Sequence, residues 1–149
     1  MVQIIQKEFN LHLSAYSSDG NISDDQLELL ITDKAEEYAA GNYILGGGDM
    51  NKDLLGDSSD YFGIKGDQYT WAKPLNTKFF EDKPLHLVCS SNVPSCRVAD
   101  APYSPQQFVV LIDGFIVSDN IEVISNTTIS TGFQYSDHNP VEMSFKLIP

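Results

Sequence analysis

The chain is poor in positive charge, which restricts the partners it can bind. Among its 149 residues, nine Lys and Arg stand against 21 Asp and Glu, so the formal net charge is -12. A field of this sign repels polyanions, which argues against strong unaided binding to nucleic acid. Arg97 is the single arginine. Phosphate recognition is therefore expected to depend on a metal, Asn, His or Lys rather than on arginine forks.

Cysteines and long apolar runs are also scarce. Cys89 and Cys96 can form one disulfide or remain two free thiols, and the sequence does not decide between these states. They cannot complete a zinc site without two further ligands. No apolar run reaches the length of about 18 residues that spans a membrane, and the start of the chain lacks the pattern of a signal peptide. Localisation stays open. With 42% hydrophobic residues, residues 1–149 are expected to form one domain without an internal boundary.

The spacing of apolar residues predicts two strands and a helix in the first third of the chain. Residues 2–13 alternate between apolar and polar side chains, which predicts a strand with Asn10 and His12 on the same face. A helix is expected to begin after Ser23 as its N-cap and to end before Gly41. Residues 43–45 predict a short strand that stops at the glycines 46–48.

A long segment with many loop signals, residues 49–107, separates these elements from three more predicted strands. Residues 108–117 are almost continuously apolar, as in a strand that is buried on both faces. Residues 121–124 are expected to form its hairpin partner, and residues 141–147 alternate cleanly as a final strand. Several strands with one long helix predict an α+β fold in which a helix layer covers a sheet.

Polar side chains suited to chemistry lie at or beside the ends of these predicted strands, where open sheets place their ligands. They are Asn10, His12, Asp49, Asn51, Asp113, Asp137 and His138. Neighbouring Asp137 and His138 suit a site in which the acid binds a cation and the imidazole moves a proton near pH 7. The alternative is a polar turn ahead of Pro140.

Asp113 interrupts the longest apolar run of the chain. A carboxylate that is buried there, ionised and without a partner, would cost several kcal/mol, so a histidine partner is a reasonable expectation. The alternative is that Asp113 starts a tight turn with Gly114 and divides the run into two short strands.

The acidic residues after the glycines also match part of a calcium-binding EF-hand loop. The matching residues are Asp49, Asn51, Asp53, Asp57 and Asp60. Leu54 stands where that loop needs glycine, and Asp60 stands where a longer Glu chelates. Three glycines cannot be the last turn of an incoming helix. A calcium-binding loop is therefore the least favoured hypothesis for this segment.

Taken in order, four of these segments resemble the endonuclease/exonuclease/phosphatase superfamily, the DNase I-like fold of metal-dependent phosphodiesterases and phosphatases. The segments are NLHL at 10–13, GDMN at 48–51, IDGFIVS at 112–118 and SDHNPV at 136–141. The resemblance covers the chain but only the C-terminal half of the family's domain. It implies half of a four-layer α/β/β/α sandwich: one mixed, mostly antiparallel sheet with a helix layer on one face.

The resemblance also implies catalytic roles for the motif residues. His138, oriented by Asp113, would be the general base or proton carrier for an attacking water. Asp49 would position or activate that water. His12 would hydrogen-bond the phosphoryl group as its charge grows in the transition state. The reaction implied is hydrolysis of a phosphoester.

The ligand sets follow from the same resemblance. Asp137, with Asp49 and Asn51, would join a Mg²⁺ or Mn²⁺ site, since hard oxygen ligands favour these ions over zinc. Asn10, His12 and Asn51 would contact the substrate. DNA, RNA, nucleotides, inositol phosphates and phospholipids are all substrates of the superfamily, and the acidic composition favours a small or lipid substrate over long nucleic acid.

The resemblance leaves one part of the family's site without a counterpart. The family's metal-binding Glu ends a strand upstream of the Asn-x-His strand, and only eleven residues precede His12 here. The isolated chain is therefore expected to be inactive or very weak. An exposed apolar sheet face would call for a partner, either the N-terminal half of the domain or a second copy of the chain. The alternative function is a non-catalytic interaction module that dimerises through that face.

Overall fold

The computed structural model describes residues 6–15, 22–63 and 72–149. Over these residues the chain forms an α+β fold, as the apolar spacing predicts, and its strands run in mixed directions. The elements in chain order are β1 Gln6–His12, α1 Ile22–Ala39, β2 Tyr43–Asp49, α2 Ser58–Tyr61, a 3-10 helix Thr77–Phe80, β3 Leu85–Val88, β4 Cys96–Arg97, β5 Val109–Val110, β6 Asp113–Ser118, β7 Ile121–Thr128 and β8 Val141–Leu147. None of the helices in these ranges has the length and apolar character needed to cross a membrane.

The central sheet has four strands in the order β1-β2-β6-β3. β1 runs parallel to β2, and the two other pairs are antiparallel. β4 pairs with β5 and β7 pairs with β8 in separate two-stranded ladders. Because β1 and β2 are parallel and β6 opposes β2, the last residues of β1 and β2 lie beside the first residue of β6.

Helix α1 covers one face of the central sheet, as expected for a helix layer. Leu27 and Ile31 are almost fully buried against Ile44 and Ile116 of the sheet. The predicted helix start, after Ser23, is two positions late, because α1 already begins at Ile22. The predicted end is confirmed by Gly41, which has φ +88° just past the last turn.

The glycines after residue 45 continue β2 instead of ending it, so the predicted strand end is wrong. A Cβ atom at Gly46 would lie 2.3 Å from the ring of Phe9, and one at Gly47 would lie 2.6 Å from the ring of Phe115. Gly48, with φ +148°, lies against the Leu11 carbonyl. The glycines are therefore places where neighbouring side chains and backbone approach the strand closely.

The apolar run 108–117 is divided between two sheets. β5 pairs with β4, and β6 begins at Asp113 in the central sheet. Between them, the Leu111 N–H donates to the Ser58 hydroxyl and the Ile112 N–H donates to the Ser95 hydroxyl, at 3.2 and 3.0 Å. The backbone leaves the strand geometry there because side-chain hydroxyls satisfy its donors.

The predicted hairpin between residues 121–124 and the preceding apolar strand is also wrong. Both edges of β6 are occupied, by β2 and by β3. β7 therefore pairs with β8 along its length, with Ile121 opposite Leu147 and Thr128 opposite Val141.

The second face of the central sheet is not bare, because the β7–β8 hairpin covers part of it. Val117 packs with Ile121 in a cluster that also includes Met143 and Phe145 of β8. The rest of this face forms a groove of about 270 Å³. Its lining includes Phe115, the β8 side chains of Met143 and Phe145, and the neighbouring Gly47 and Asn10. An open apolar face is thus present, but it is smaller than the sequence suggests.

We expect Gly47→Ala to destabilise the fold, because the new methyl group would meet the Phe115 ring at 2.6 Å and the Gly114 carbonyl oxygen at 2.7 Å. The expected loss in the free energy of unfolding is about 2–3 kcal/mol, as for overpacked cores, and urea denaturation measures it. Gly132→Ala is the control, since that position has φ +63° but no atom within 4 Å, and strain alone costs about 1 kcal/mol. Equal losses of unfolding free energy in the two variants would contradict the close contact between Gly47 and the Phe115 ring.

Candidate active site

The register of the central sheet brings three of the predicted site residues into one row. His12 is paired with Asp49 across β1 and β2, and Asp49 is paired with Asp113 across β2 and β6. Residues that are paired in this way point to the same face of a sheet. The row lies at the edge where β1 and β2 end and β6 begins.

Asp113 binds His138, which arrives from the loop before β8. The His138 Nδ1 and the Asp113 Oδ2 are 2.8 Å apart. Asp113 is only 9% exposed, and its backbone N–H donates to the Ser95 hydroxyl at 3.0 Å. The histidine partner that a buried carboxylate requires is therefore present, and the alternative of a tight turn at Asp113 and Gly114 is wrong because both residues lie within β6.

Asp49 lies between two imidazoles. Its Oδ2 is 3.7 Å from the His12 Nε2 and 3.8 Å from the His138 Nε2. Its Oδ1 accepts a hydrogen bond from the Asn51 backbone N–H at 2.7 Å. Burial raises the pKa of Asp49 above its ordinary value; the Asn51 hydrogen bond opposes the rise and the charge of Asp113 adds to it. Asp49 is thus a stronger base than an exposed aspartate.

The environment of His138 keeps its ring charged. The hydrogen bond to Asp113, and then the contact with Cys96, raise the pKa of His138 to about 11, although burial opposes the rise. At neutral pH the ring is therefore an imidazolium with a proton on each nitrogen. The sequence leaves two roles open for His138, general base or proton carrier. A charged ring has no free nitrogen to accept a proton, so it favours the second role, with Nε2 as the donor.

A cavity of about 130 Å³ opens beside this ring. It is lined by Asn51, Cys96, Arg97, Val98, Ala99, Ile112, Asp137 and His138. The sequence does not predict Cys96 and Arg97 as members of the site. They arrive because β4 lies against the His138 loop, where the Arg97 N–H donates to the Asp137 carbonyl at 2.9 Å. The only signal in the sequence is that the single arginine of the chain falls at this position.

Cys96 lies within reach of the His138 ring. Its Sγ is 3.6 Å from the His138 Nε2. Cys89 and Cys96 are both free thiols, which decides the question that their spacing leaves open. Burial raises the pKa of Cys96, and its contact with His138 opposes the rise. Cys96 therefore contributes a neutral wall to the cavity at neutral pH.

Ser95 and Asn139 hold the His138 loop against the central sheet. Ser95 is fully buried, and its carbonyl accepts from the Asn139 N–H at 2.7 Å. The Asn139 side chain donates to the Pro94 carbonyl at 2.9 Å and accepts from the Thr131 N–H at 3.0 Å. Because the Ser95 hydroxyl also accepts from the Asp113 N–H, one buried serine holds Asp113 through its hydroxyl and the His138 loop through its carbonyl.

Two of the predicted substrate residues differ in placement. Asn51 lines the cavity with φ 48°, and one N–H of its amide donates to the Leu13 carbonyl at 2.7 Å. Asn10 shares the face of His12 but is paired with Gly47, two residue positions before the pair formed by His12 and Asp49. It lines the apolar groove rather than the cavity at His138.

The predicted metal ligands do not converge into a cation site by themselves. In the part of the chain that the structure covers, no group of three or more His, Cys, Asp or Glu side chains could hold a metal ion. The two oxygens of Asp49 already face the Asn51 N–H and the two imidazoles. A cation at Asp49 would meet the charge of His138, so the residues present do not fit a complete site.

The calcium-loop hypothesis is not supported. The element before Asp49 is the strand β2, not the helix that an EF-hand requires. Asp53 is engaged within its own loop, where it accepts hydrogen bonds from the N–H groups of Leu55, Gly56 and Ser58. Its carboxylate is therefore a local capping group rather than a calcium ligand.

Comparisons with known proteins find a similar fold but do not identify a family. No protein-family model matches the chain, and no curated protein matches it. Among solved structures it is similar to a mannosyl-6-phosphatase of Bacteroides thetaiotaomicron VPI-5482, with a TM-score of 0.56 and 18% identity over 94% of this chain. The match covers 51% of that protein, so this chain spans about half of its length. The two proteins share a fold over that half.

We expect Asp49→Asn to stabilise the folded protein at pH 8. Asparagine keeps an oxygen for the Asn51 N–H and removes a carboxylate whose pKa is raised by burial. A raised pKa means that stability is present below the unfolded pKa and is lost as the pH rises through the folded pKa, so the gain should appear only above about pH 4. Urea denaturation at pH 3 and pH 8 measures it. A variant that is less stable than the parent at pH 8 would contradict this account.

Proposed function

We propose that the chain carries the water-activating and phosphoryl-binding part of a phosphoester hydrolase of the endonuclease/exonuclease/phosphatase superfamily. The observation that carries the proposal is the position of Asp49 between His12 and the Asp113-bound His138. These side chains come from four separate segments of the chain and meet at one sheet edge. The fold shared with a phosphatase supports the proposal.

Asp49 is the proposed base. A water beside its Oδ2 transfers a proton to the carboxylate while the water oxygen forms a bond to phosphorus. The bond from phosphorus to the leaving oxygen breaks on the opposite side, and that oxygen takes a proton from solvent. Asp49 and His138 are only 3.8 Å apart, so they act on the same side of phosphorus rather than at opposite ends of the displacement.

His138 is the proposed electrostatic partner of this step. With Nδ1 held by Asp113, its Nε2–H, which lies 3.6 Å from the Cys96 Sγ, is the proposed donor to a non-bridging phosphoryl oxygen. Preorganised donors of this kind stabilise the charge that develops in the transition state. The side chain of His12, which is 74% exposed, and the second amide N–H of Asn51 are the further proposed phosphoryl donors.

The proposal includes a Mg²⁺ or Mn²⁺ ion, but the residues of this site cannot bind it without at least one further ligand. When bound, such an ion supplies Lewis-acid polarisation of the phosphoryl oxygens. Asp137 is the proposed contribution of this chain, and a further carboxylate would come from a complementary segment or partner. The groove beside Phe115, Met143 and Phe145 is the proposed contact for that complement, and the 51% coverage of the phosphatase supports it.

A second copy of the chain is the alternative occupant of the same groove. Met143 and Phe145 are only half buried although they are apolar, which is the observation that favours a non-catalytic dimer module. Such a module would not need the contacts around Asp49. The paired imidazole and carboxylate side chains therefore favour the hydrolase.

We expect the isolated chain to hydrolyse aryl phosphates slowly with Mg²⁺ or Mn²⁺, and His138→Gln or Asp49→Asn to lower this rate about 100-fold or more because each removes a charge from the reacting side. Release of nitrophenolate measures the rate. His86→Gln is the matched control, since His86 pairs with Asp119 past the opposite end of β6.

Two outcomes would contradict parts of the proposal. A rate that is unchanged in His138→Gln and in Asp49→Asn would place any hydrolysis outside this site. Fast turnover by the isolated chain that depends on His138 would show that no complementary carboxylate is needed.

A further inference from the structure

A lysine is buried directly next to a residue of the candidate site. Lys52 follows Asn51 in the chain and is only 3% exposed. Its Nζ is 2.8 Å from the Oδ1 of Asp24, in the first turn of α1. That oxygen is buried and has no hydrogen-bond partner among the described residues, so the Lys52 ammonium group is the contact that compensates its charge. Neither residue of this ion pair lines the cavity beside His138.

The backbone at Asn51 depends on its neighbours for its conformation. Asn51 has φ 48°, in the left-handed region, which residues other than glycine keep only where surrounding contacts hold them. On its N-terminal side, the Met50 N–H donates to the Ile112 carbonyl at 2.9 Å. On its C-terminal side, Lys52 is the first residue that contacts another segment. The ion pair with α1 therefore holds the side of Asn51 that the sheet does not.

Helix α1 gives Asp24 a fixed position. Leu27, one turn further along the helix, is fully buried against the central sheet. The same first turn of α1 also contacts the end of β1, because the Gln26 Oε1 accepts from the Ser14 N–H at 2.9 Å, two residues beyond His12. One helix turn thus contacts both segments that carry proposed phosphoryl donors.

An ion pair with a buried lysine is a costly way to connect these segments. Fixing the long side chain costs conformational entropy, and removing the ammonium group from water costs free energy that the carboxylate offsets only in part. Apolar residues of similar volume often replace such a pair without loss of stability. The ion pair differs from them in geometry, since the ammonium group has to meet one carboxylate, whereas apolar side chains pack in several ways.

Resting on the proposed function, we propose that Lys52 is a positioning residue, whose ion pair with Asp24 holds Asn51 in the conformation that presents its second amide N–H to a phosphoryl group. Lys52 does not touch the substrate in this account. The pair acts on phosphate binding through Asn51 and contributes little to the stability of the fold.

Replacement of both charges by apolar side chains separates these two effects in the full chain. In the double variant Asp24→Leu, Lys52→Met, we expect the midpoint of urea denaturation to stay close to that of the parent. Inorganic phosphate should bind about tenfold more weakly or worse, as for the loss of one hydrogen bond to a charged group, and isothermal titration calorimetry measures this. A pair with a merely structural role would lower the denaturation midpoint and leave the affinity of the folded protein unchanged.

Hydrogen exchange at the Asn51 backbone N–H supplies a second measurement, which needs no ligand. This N–H donates to the Asp49 carboxylate at 2.7 Å, so it exchanges with solvent only when the contact opens. We expect exchange about tenfold faster or more in the double variant. Since the denaturation midpoint stays in place, faster exchange would report local opening at Asn51 rather than global unfolding.

Asp25→Asn is the matched control for Asp24→Asn. Both residues lie in the first turn of α1, so both variants lose the same charge at the helix N-terminus, but Asp25 is exposed and Lys52 pairs with Asp24. Asp24→Asn should speed exchange at Asn51 and weaken phosphate binding, and Asp25→Asn should change neither.

Three results would overturn the positioning role of Lys52. They are parent-like exchange and affinity in the double variant, equal effects of Asp24→Asn and Asp25→Asn, and a double variant that fails to fold. If the parent chain itself binds no phosphate, the proposed phosphoryl site is wrong, and the exchange rates at Asn51 still decide whether the ion pair holds that residue.

Discussion

The contact between Asp113 and His138 connects the two parts of the molecule on which the site depends. Asp113 begins a central strand, whereas His138 belongs to a loop that joins two strands of the separate hairpin. At 2.8 Å, with the carboxylate almost buried, the hydrogen bond between them offsets the desolvation of both side chains. Ser95 binds both sides of this contact, so the hairpin loop, β4 and the central sheet are held in one arrangement.

The site concentrates charge in a small space at the edge of the sheet. Asp49 and Asp113 lie side by side in the row, and the charge of Asp113 adds to the rise in the pKa of Asp49 that burial causes. His138 contacts both carboxylates. Arg97 and Asp137 add one further group of each sign in the wall of the adjacent cavity. Three carboxylates and two cations therefore meet at this edge of the sheet.

Local spacing predicts the parts of this structure that depend on local rules. Alternation places Asn10 and His12 on one face, and a buried acid in an apolar run predicts the partner found at Asp113. The continuation of β2 through its glycines is not predictable in this way, because it depends on the Phe9 and Phe115 rings of other strands. The hairpin partner of β7 depends on which edges of β6 are already occupied. Arg97 reaches the site only through the pairing of β4 with the His138 loop, which no local pattern encodes.

The central claim is that the Asp49 and His138 edge of the sheet is a phosphoryl-binding site. Titration of inorganic phosphate into histidine-labelled protein, followed by NMR of the imidazole signals, tests it most directly. We predict saturable shifts of the His138 and His12 signals while the signals of His86, which pairs with Asp119 elsewhere on the surface, stay in place. Shifts of equal size at all three histidines, or none at His138 at saturating phosphate, would contradict the claim.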